Sequence, residues 1–216
     1  MTPDERLKHD VLAELAWDPS ITAAALVASA KDGIVTLTGR TTSFAQKHAA
    51  EAATHRVKGV KAIASEIEVD LPFEHRRTDE DIAAAIVNRL DWDAAILPDT
   101  VTAQVRDGWV TLNGAVDWNF QRETAALDVQ SMLGVVGLTN QITIKPRANA
   151  ERIAEGIHSA LGRSWFFDPK SVGVAVVGDH VRLTGSVHTE NERRLAAVTA
   201  WGCPGVAIVE NDLSIV

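Results

Sequence analysis

Apolar residues recur along this chain in the same order three times. Leu26, Val101 and Val172 occupy matching positions, as do Ala28, Ala103 and Val174, then Ala30, Val105 and Val176. The offsets of 75 and 71 residues hold to the end of each copy. Val35 and Leu37 match Val110 and Leu112, then Val181 and Leu183. Ile63, Leu138 and Val209 follow, then Ile67, Ile142 and Leu213, then Val69, Ile144 and Ile215. The glycines keep the same register: Gly33, Gly39 and Gly59, then Gly108, Gly114 and Gly134, then Gly185 and Gly205, with Gly178-Asp179 in place of Asp-Gly. Constant offsets over so many positions mark an internal repeat.

Within a copy the period of the pattern changes. Leu7, Val11, Leu12 and Leu15 have helical spacing, as do Ile82, Ile86, Val87 and Leu90, and Ile153, Ile157 and Leu161. Two alternating runs follow, joined by Asp32-Gly33, Asp107-Gly108 or Gly178-Asp179. Asp-Gly between alternating runs predicts a hairpin, because a type I′ turn needs positive φ at both central residues. An alanine-rich segment, such as Ala49 to Val57, predicts a second helix that Gly59, Gly134 or Gly205 terminates in the left-handed region. A last alternating strand closes the copy. A strand–helix–strand crossover brings parallel strands into one sheet. The expected unit is therefore αββαβ, an α+β module with a three-stranded mixed sheet and both helices on one face. The units are expected at 1–72, 77–146 and 148–216. Val110 and Leu112 should face the helices, and Thr102, Gln104, Arg106, Thr111 and Asn113 the open side.

Helix starts are legible as well. Thr2-Pro3-Asp4-Glu5 reads as a capping box with proline at the first helical position, and Thr78 with Asp81 predicts a second cap. The connectors Leu71-Pro72-Phe73-Glu74-His75-Arg76-Arg77 and Lys145-Pro146-Arg147 are short and stiffened by proline, which predicts a fixed or semi-fixed arrangement. Each unit has only about seventy residues, a size at which a single core is marginal and packing between units helps.

Composition narrows the function. Apolar content is 46% and charged content 23%, as in ordinary folded domains. The net charge of −8 argues against a nucleic-acid partner and against simple attraction to anionic lipid. The middle unit is the acidic one, with 6 basic and 11 acidic residues against 8 and 10 in the first and 7 and 8 in the third. The chain opens on a helix start rather than a basic, apolar leader, which predicts a cytoplasmic protein, with peripheral membrane association as a possible addition. The single Cys203 reads as a packing residue.

The repeated unit resembles the BON domain (bacterial OsmY and nodulation). The resemblance rests on Val35-Thr36-Leu37-Thr38-Gly39, Val110-Thr111-Leu112-Asn113-Gly114 and Val181-Arg182-Leu183-Thr184-Gly185. It rests also on Gly59-Val60, Gly134-Val135 and Gly205-Val206, and on Asn140 and Asn211 in the last strand, where the first unit has Ser65. The stretch Val116 to Arg122 is similar to the loop–helix junction of the middle domain in three-BON cytoplasmic proteins related to osmotically inducible protein Y. The resemblance implies a non-catalytic binding module, linked to osmotic stress and to association with phospholipid or other envelope components.

No phosphate loop, argued triad or cysteine pair is present, so no enzyme activity, cofactor or metal is expected. His48 and His55 lie seven apart, wider than helical zinc pairs, and read as exposed helix residues. Four aromatic residues are candidates for contact with a protein partner or with lipid: Phe44, Trp109, Trp118 and Phe120. Trp118 and Phe120 precede the second helix of the middle unit, with Phe44 near the matching place in the first. Such rings either wedge into a partner or membrane interface or staple the start of their own helix. Trp109 falls on the polar sheet face, where its equivalents are Ile34 and His180, and predicts an interface there. Trp17 and Trp92 are equivalent helix-end residues, expected in the core or at its rim.

Overall fold

The computed structural model describes residues 2–145, 150–163 and 171–216. The connector residues Pro146 and Arg147 lie outside the described residues. The first repeat runs α1 (Pro3–Trp17), β1 (Leu26–Lys31), β2 (Ile34–Thr41), α2 (Phe44–Arg56) and β3 (Ala62–Val69). The second runs α3 (Asp79–Trp92), β4 (Val101–Arg106), β5 (Trp109–Val116), α4 (Asn119–Gln130) and β6 (Gly137–Ile144). The third runs α5 (Ala150–Gly162), β7 (Val172–Val177), β8 (His180–Val187), α6 (Glu190–Trp201) and β9 (Ile208–Ile215). The expected αββαβ order is thus present three times. The three sheets have the orders β1-β2-β3, β4-β5-β6 and β7-β8-β9.

By packing the chain divides into two compact units. The first holds Met1–Ile86, Gln104–Thr111 and Asp128–Thr139; the second holds Val87–Ala103, Leu112–Leu127 and Asn140–Val216. The middle repeat contributes to both.

In the first repeat β1 pairs antiparallel with β2, from Leu26 opposite Gly39 to Lys31 opposite Ile34, and β2 pairs parallel with β3, from Ile34 opposite Ala62 to Thr41 opposite Val69. The third repeat repeats this register, with Val172 opposite Gly185 and His180 opposite Ile208. Alternation along the strands sends one set of side chains inward. Leu7, Val11, Leu15, Val35, Leu37, Ala50 and Ala53 form the first core, and Ile153, Ile157, Leu161, Val181, Leu183, Ala196 and Ala200 the third. Small alanines on the second helix let it lie close on the sheet, as packed interiors require.

The turns and caps follow from local chemistry. Asp32 and Gly33 have φ of 53° and 85°, and Asp107 and Gly108 have 49° and 76°, so both central residues are left-handed as a type I′ turn demands. In the third repeat Gly178 alone is left-handed, at 64°, which is the pattern of a type II′ turn. The reversed order Gly-Asp therefore changes the turn type and keeps the hairpin. Asp4 on α1 accepts from Asp32 N at 3.1 Å, and Asp79 on α3 accepts from Asp107 N at 2.8 Å and Gly108 N at 2.9 Å. The matching third-repeat residue is Ala150, which has no oxygen to offer.

The last glycine of the strand motif has a steric reason. At Gly39, Gly114 and Gly185, φ is 130°, 145° and 119°, and an added Cβ would strike the carbonyl oxygen of Ala25, Thr100 or Ser171. No other residue fits that approach. The capping box of Thr2 and Glu5 is formed, with Thr2 N donating to the Glu5 carboxylate at 2.7 Å. Thr78 and Asp81 cap α3 reciprocally, and these hydrogen bonds from Thr78 hold the Asp81 carboxyl below its ordinary range.

Candidate functional site

The four aromatic candidates fall in three places. Phe44 is half-buried at the start of α2. Trp109 lies on the open face of the middle sheet and is 49% exposed. Its ring covers Gly137 so closely that a Cβ there would collide with it, and its indole Nε1–H donates to Thr139 Oγ1 at 2.9 Å. The large ring and the missing side chain compensate each other. The first repeat has Ile34 and Ala62 at these places, and the third has His180 and Ile208. A shallow cavity of about 470 Å³ beside the ring is lined by Gln104, Arg106, Asp107, Thr111 and Val136. The open face of the third sheet differs, being covered by ion pairs: Arg182 Nε donates to Asp212 at 2.6 Å and lies 3.8 Å from Glu210.

Trp118 and Phe120 come together, with ring centroids 6.3 Å apart and planes tilted by 41°. How they get there is a matter of helix capping. In the first repeat Ser43 caps α2, its hydroxyl accepting from Gln46 N at 3.2 Å. In the third Thr189 caps α6, accepting from Glu192 N at 3.1 Å, and the Glu192 carboxylate accepts from His188 N at 2.8 Å. The equivalent residue before α4 is Trp118, whose indole has no oxygen to accept with. Only half of the box survives there: Gln121 Oε1 accepts from Asp117 N at 3.1 Å and Trp118 N at 3.2 Å, and Gln121 Nε2 donates to Ala95 O at 3.0 Å. Replacing a good cap residue by an apolar one costs about 1 kcal/mol. A cap given up in one copy of three points to a use for the ring beyond stability.

The next residue adds a second irregularity. Asn119 is 4% exposed. Its amide Nδ2 donates to Glu123 Oε1 at 2.8 Å, and its Oδ1 is buried with no hydrogen-bond partner among the described residues. An acceptor left in that state carries its full desolvation cost of about 1–3 kcal/mol until something donates to it.

Although Asn119 Oδ1 itself is buried, Trp118 and Asn119 both help to line one cleft of about 400 Å³. It is lined by Trp118, Asn119, Phe120 and Glu123 from the start of α4, and by Val198, Trp201 and Gly202 from the end of α6. Phe120 is 51% and Val198 60% exposed, so the lip is apolar and open to water. The Arg122 guanidinium lies 5.7 Å from the Trp201 ring centre, a cation–π contact that fixes the rim. The volume is within the range of about 300–1,000 Å³ usual for ligand sites, and the lining has their character: aromatic walls and few polar groups. What it lacks is a nucleophile with a base, and no cluster of three or more metal-ligating side chains occurs among the described residues. A wider depression of about 710 Å³ in the first repeat, around Asp4, Arg6, Lys58 and Lys61, mixes both charges and is open to solvent.

Two sequence expectations change. Trp17 and Trp92 are neither core nor rim: they are 85% and 87% exposed. Each ends its helix two residues beyond the last buried residue, Leu15 or Leu90, about 200° round the helix and so away from the buried stripe. Trp201 and Val198 went unnoticed, although a signal existed. They lie three apart on α6, Val198 exposed and Trp201 partly buried against the third core, an apolar pair beyond the stripe of Ala196 and Ala200. Asn119 left no such signal, since burial of a polar residue is not visible in a pattern.

The chain is thus a tandem of small αββαβ modules, with an aromatic cleft at the start of α4 and the end of α6. The family comparison agrees: a BON domain model matches residues 3–70, 78–146 and 149–216, and the chain belongs to the BON domain family. No curated protein matches the chain. Among solved structures, the chain is similar to CdsD, described as a structural protein of the type III secretion system of Chlamydia trachomatis. Identity is 16% over 98% of this chain and 92% of that one, with a TM-score of 0.28. A structure of the C-terminal domain of CdsD gives 15% identity, 97% coverage of each chain and a TM-score of 0.28. Scores this low establish neither a shared arrangement nor a shared role. Among the described residues no helix is long and apolar enough to cross a membrane.

Proposed function

We propose that this chain is a non-enzymatic, stress-associated binding or scaffold protein of the cytoplasm that acts through contacts with a protein partner, and that the partner docks at the cleft between α4 and α6. The observation that carries this reading is the start of α4. Trp118 stands where its equivalents Ser43 and Thr189 cap a helix, and beside it the buried Asn119 Oδ1 has no hydrogen-bond partner among the described residues. Buried aromatic anchors with a polar group at the centre are the usual makings of an interface hot spot. Tandem BON domains occur in osmotic-stress-related proteins, which supports the stress association.

A second reading is a peripheral phospholipid-binding protein that protects the envelope under osmotic stress. The exposed Phe120, Val198 and Leu127 support it, and BON domains occur in phospholipid-binding proteins. The net charge of −8 weighs against attraction to anionic lipid. Flotation with anionic and neutral liposomes at low and moderate salt separates the two. The protein reading expects no co-flotation, together with capture from stressed cells of a protein that Trp118→Ala no longer retains. Co-flotation with anionic vesicles that Trp118→Ala reduces would replace it by the lipid reading.

A further inference from the structure

The open face of the middle sheet is chemically unlike its two counterparts. In the first repeat Arg40 on that face lies 3.4 Å from Glu68, and in the third Arg182 pairs with Asp212. The middle repeat has the makings of neither pair. Ala115 stands in place of Arg40 and Thr111 in place of Arg182, while Thr139 and Gln141 match Glu210 and Asp212. These neutral residues fall in the repeat with the largest excess of acid, so composition does not explain them. On this face the Trp109 indole lies flat over Gly137: the Cβ that Gly137 lacks would fall among the ring atoms Cε3, Cζ3 and Cδ2. Its Nε1–H is held by Thr139 Oγ1 at 2.9 Å. One ring face thus rests on the sheet and the other looks to solvent, as its 49% exposure requires. Gln104, Arg106, Asp107 and Thr111 line the shallow cavity beside it, and their side chains have no hydrogen bond or ion pair among the described residues.

We infer that Trp109 is the plate of a glycan-binding site. A flat, equatorially substituted pyranose stacks its C–H face on the free face of the indole, and its hydroxyls bond to Gln104, Arg106, Asp107 and Thr111. The site shares no residue with the cleft lined by α4 and α6, so it does not depend on the function assigned to that cleft. The surroundings of the ring select the occupant. A pyranose has an apolar face of axial C–H groups and a rim of hydroxyls that both donate and accept. Its complement is one apolar ring face bordered by an amide, a hydroxyl, a carboxylate and a guanidinium. The indole is already fixed by Gly137 and Thr139, so stacking on it orders little that was free. An acyl chain or the core of a protein interface needs apolar surface that continues beyond the ring, and Val136 is the one other apolar residue in the lining. A nucleic-acid strand needs several cations along its phosphates, and the lining supplies Arg106 alone. The first repeat has Ile34 with Ala62 here and the third His180 with Ile208, so the chain carries one such plate.

The test is titration of the isotope-labelled full chain with cellotetraose, a flat chain of equatorially linked glucose, followed by nuclear magnetic resonance. Trp109→Ile/Gly137→Ala installs the pair that the first repeat carries at these places, so the sheet is kept while the plate is removed. The indole N–H resonance missing from that variant is that of Trp109. Millimolar cellotetraose should shift this resonance and the Thr111 backbone amide together, saturably and with one site per chain. Mannitol, which has the hydroxyls without the ring face, should shift neither. In the double variant the Thr111 response should need at least about tenfold more sugar, since the main apolar contact is gone. Gln104→Ala alters an exposed side chain and leaves the ring in place; it should weaken binding about threefold, as for one hydrogen bond. An indole resonance that cellotetraose does not move, an equal response to mannitol, or a Thr111 response unchanged in the double variant overturns the inference. Saturation by adenosine with none by cellotetraose overturns it too, and makes the plate a base-stacking site.

Discussion

The start of α6 and the start of α4 occupy the same place in the repeat and are built to different ends. At α6, Thr189 and Glu192 satisfy the backbone donors of the helix start. At α4, Trp118 has no oxygen to cap with, Asn119 Oδ1 has no hydrogen-bond partner among the described residues, and three aromatic rings line one cleft. The difference teaches that identity of fold among the copies does not extend to identity of use. A repeat can keep its core and its turns while one helix end is released from stability and turned toward binding, the usual tension between stability and function.

The widest break should come where the copies agree. Gly185→Ala places a Cβ against the Ser171 carbonyl at a φ of 119°, and the same change at Gly114 strikes Thr100. Each should lower stability by about 3 kcal/mol or more, read as loss of the folded baseline in urea titration. Equal tolerance of alanine at both sites would refute the steric account.

Next are the asparagines of the last strands. Asn140 Nδ2 donates to Arg122 O at 2.9 Å and Asn211 Nδ2 to Arg193 O at 2.8 Å, and each Oδ1 also accepts from the backbone two residues on. The first repeat has Ser65 there and ties its second helix to its sheet by Lys47 Nζ to Ile67 O at 2.9 Å instead. Asn211→Ala should therefore cost about 2 kcal/mol, and Lys47→Met, which breaks one bond near solvent, about 1 kcal/mol or less, by thermal melting. A larger loss for Lys47→Met would break the proposed equivalence.

The caps sharpen the comparison directly. Thr189→Ala should cost about 1 kcal/mol. Trp118→Ser restores a cap and removes a ring, so stability should stay within about 1 kcal/mol of the parent while capture at the cleft is lost. A Trp118→Ser chain that binds its partner normally would remove the reason offered for the missing cap.

The smallest effect is a matter of pH. The hydrogen bonds of Thr78 hold the Asp81 carboxyl below its ordinary value, so its contribution is present above about pH 4, the unfolded range, and fades as pH falls through the lower folded value. Asp81→Asn should therefore reduce stability by a constant amount above about pH 5, and the gap between variant and parent should narrow in acid. A gap that widens on acidification would show that the carboxylate is not the favoured form.

Much of this protein was legible in the chain alone. The three copies, their αββαβ order, the left-handed turns and the caps at Thr2 and Thr78 follow from local rules: periodicity of apolar residues, the φ of glycine, and the reach of a threonine oxygen to a backbone three residues on. Local rules act between residues close in sequence, so a sequence displays them. The core positions were readable for the same reason, since alternation alone assigns Val110 and Leu112 to one face. Only the tertiary structure decided the rest. It placed Trp17 and Trp92 in solvent, laid Trp109 over Gly137, and joined Trp118 and Asn119 to Val198 and Trp201 from a helix some eighty residues away. Whether an aromatic ring is covered, and whether a buried oxygen finds a donor, depends on which distant surfaces meet. No periodicity along one chain records that.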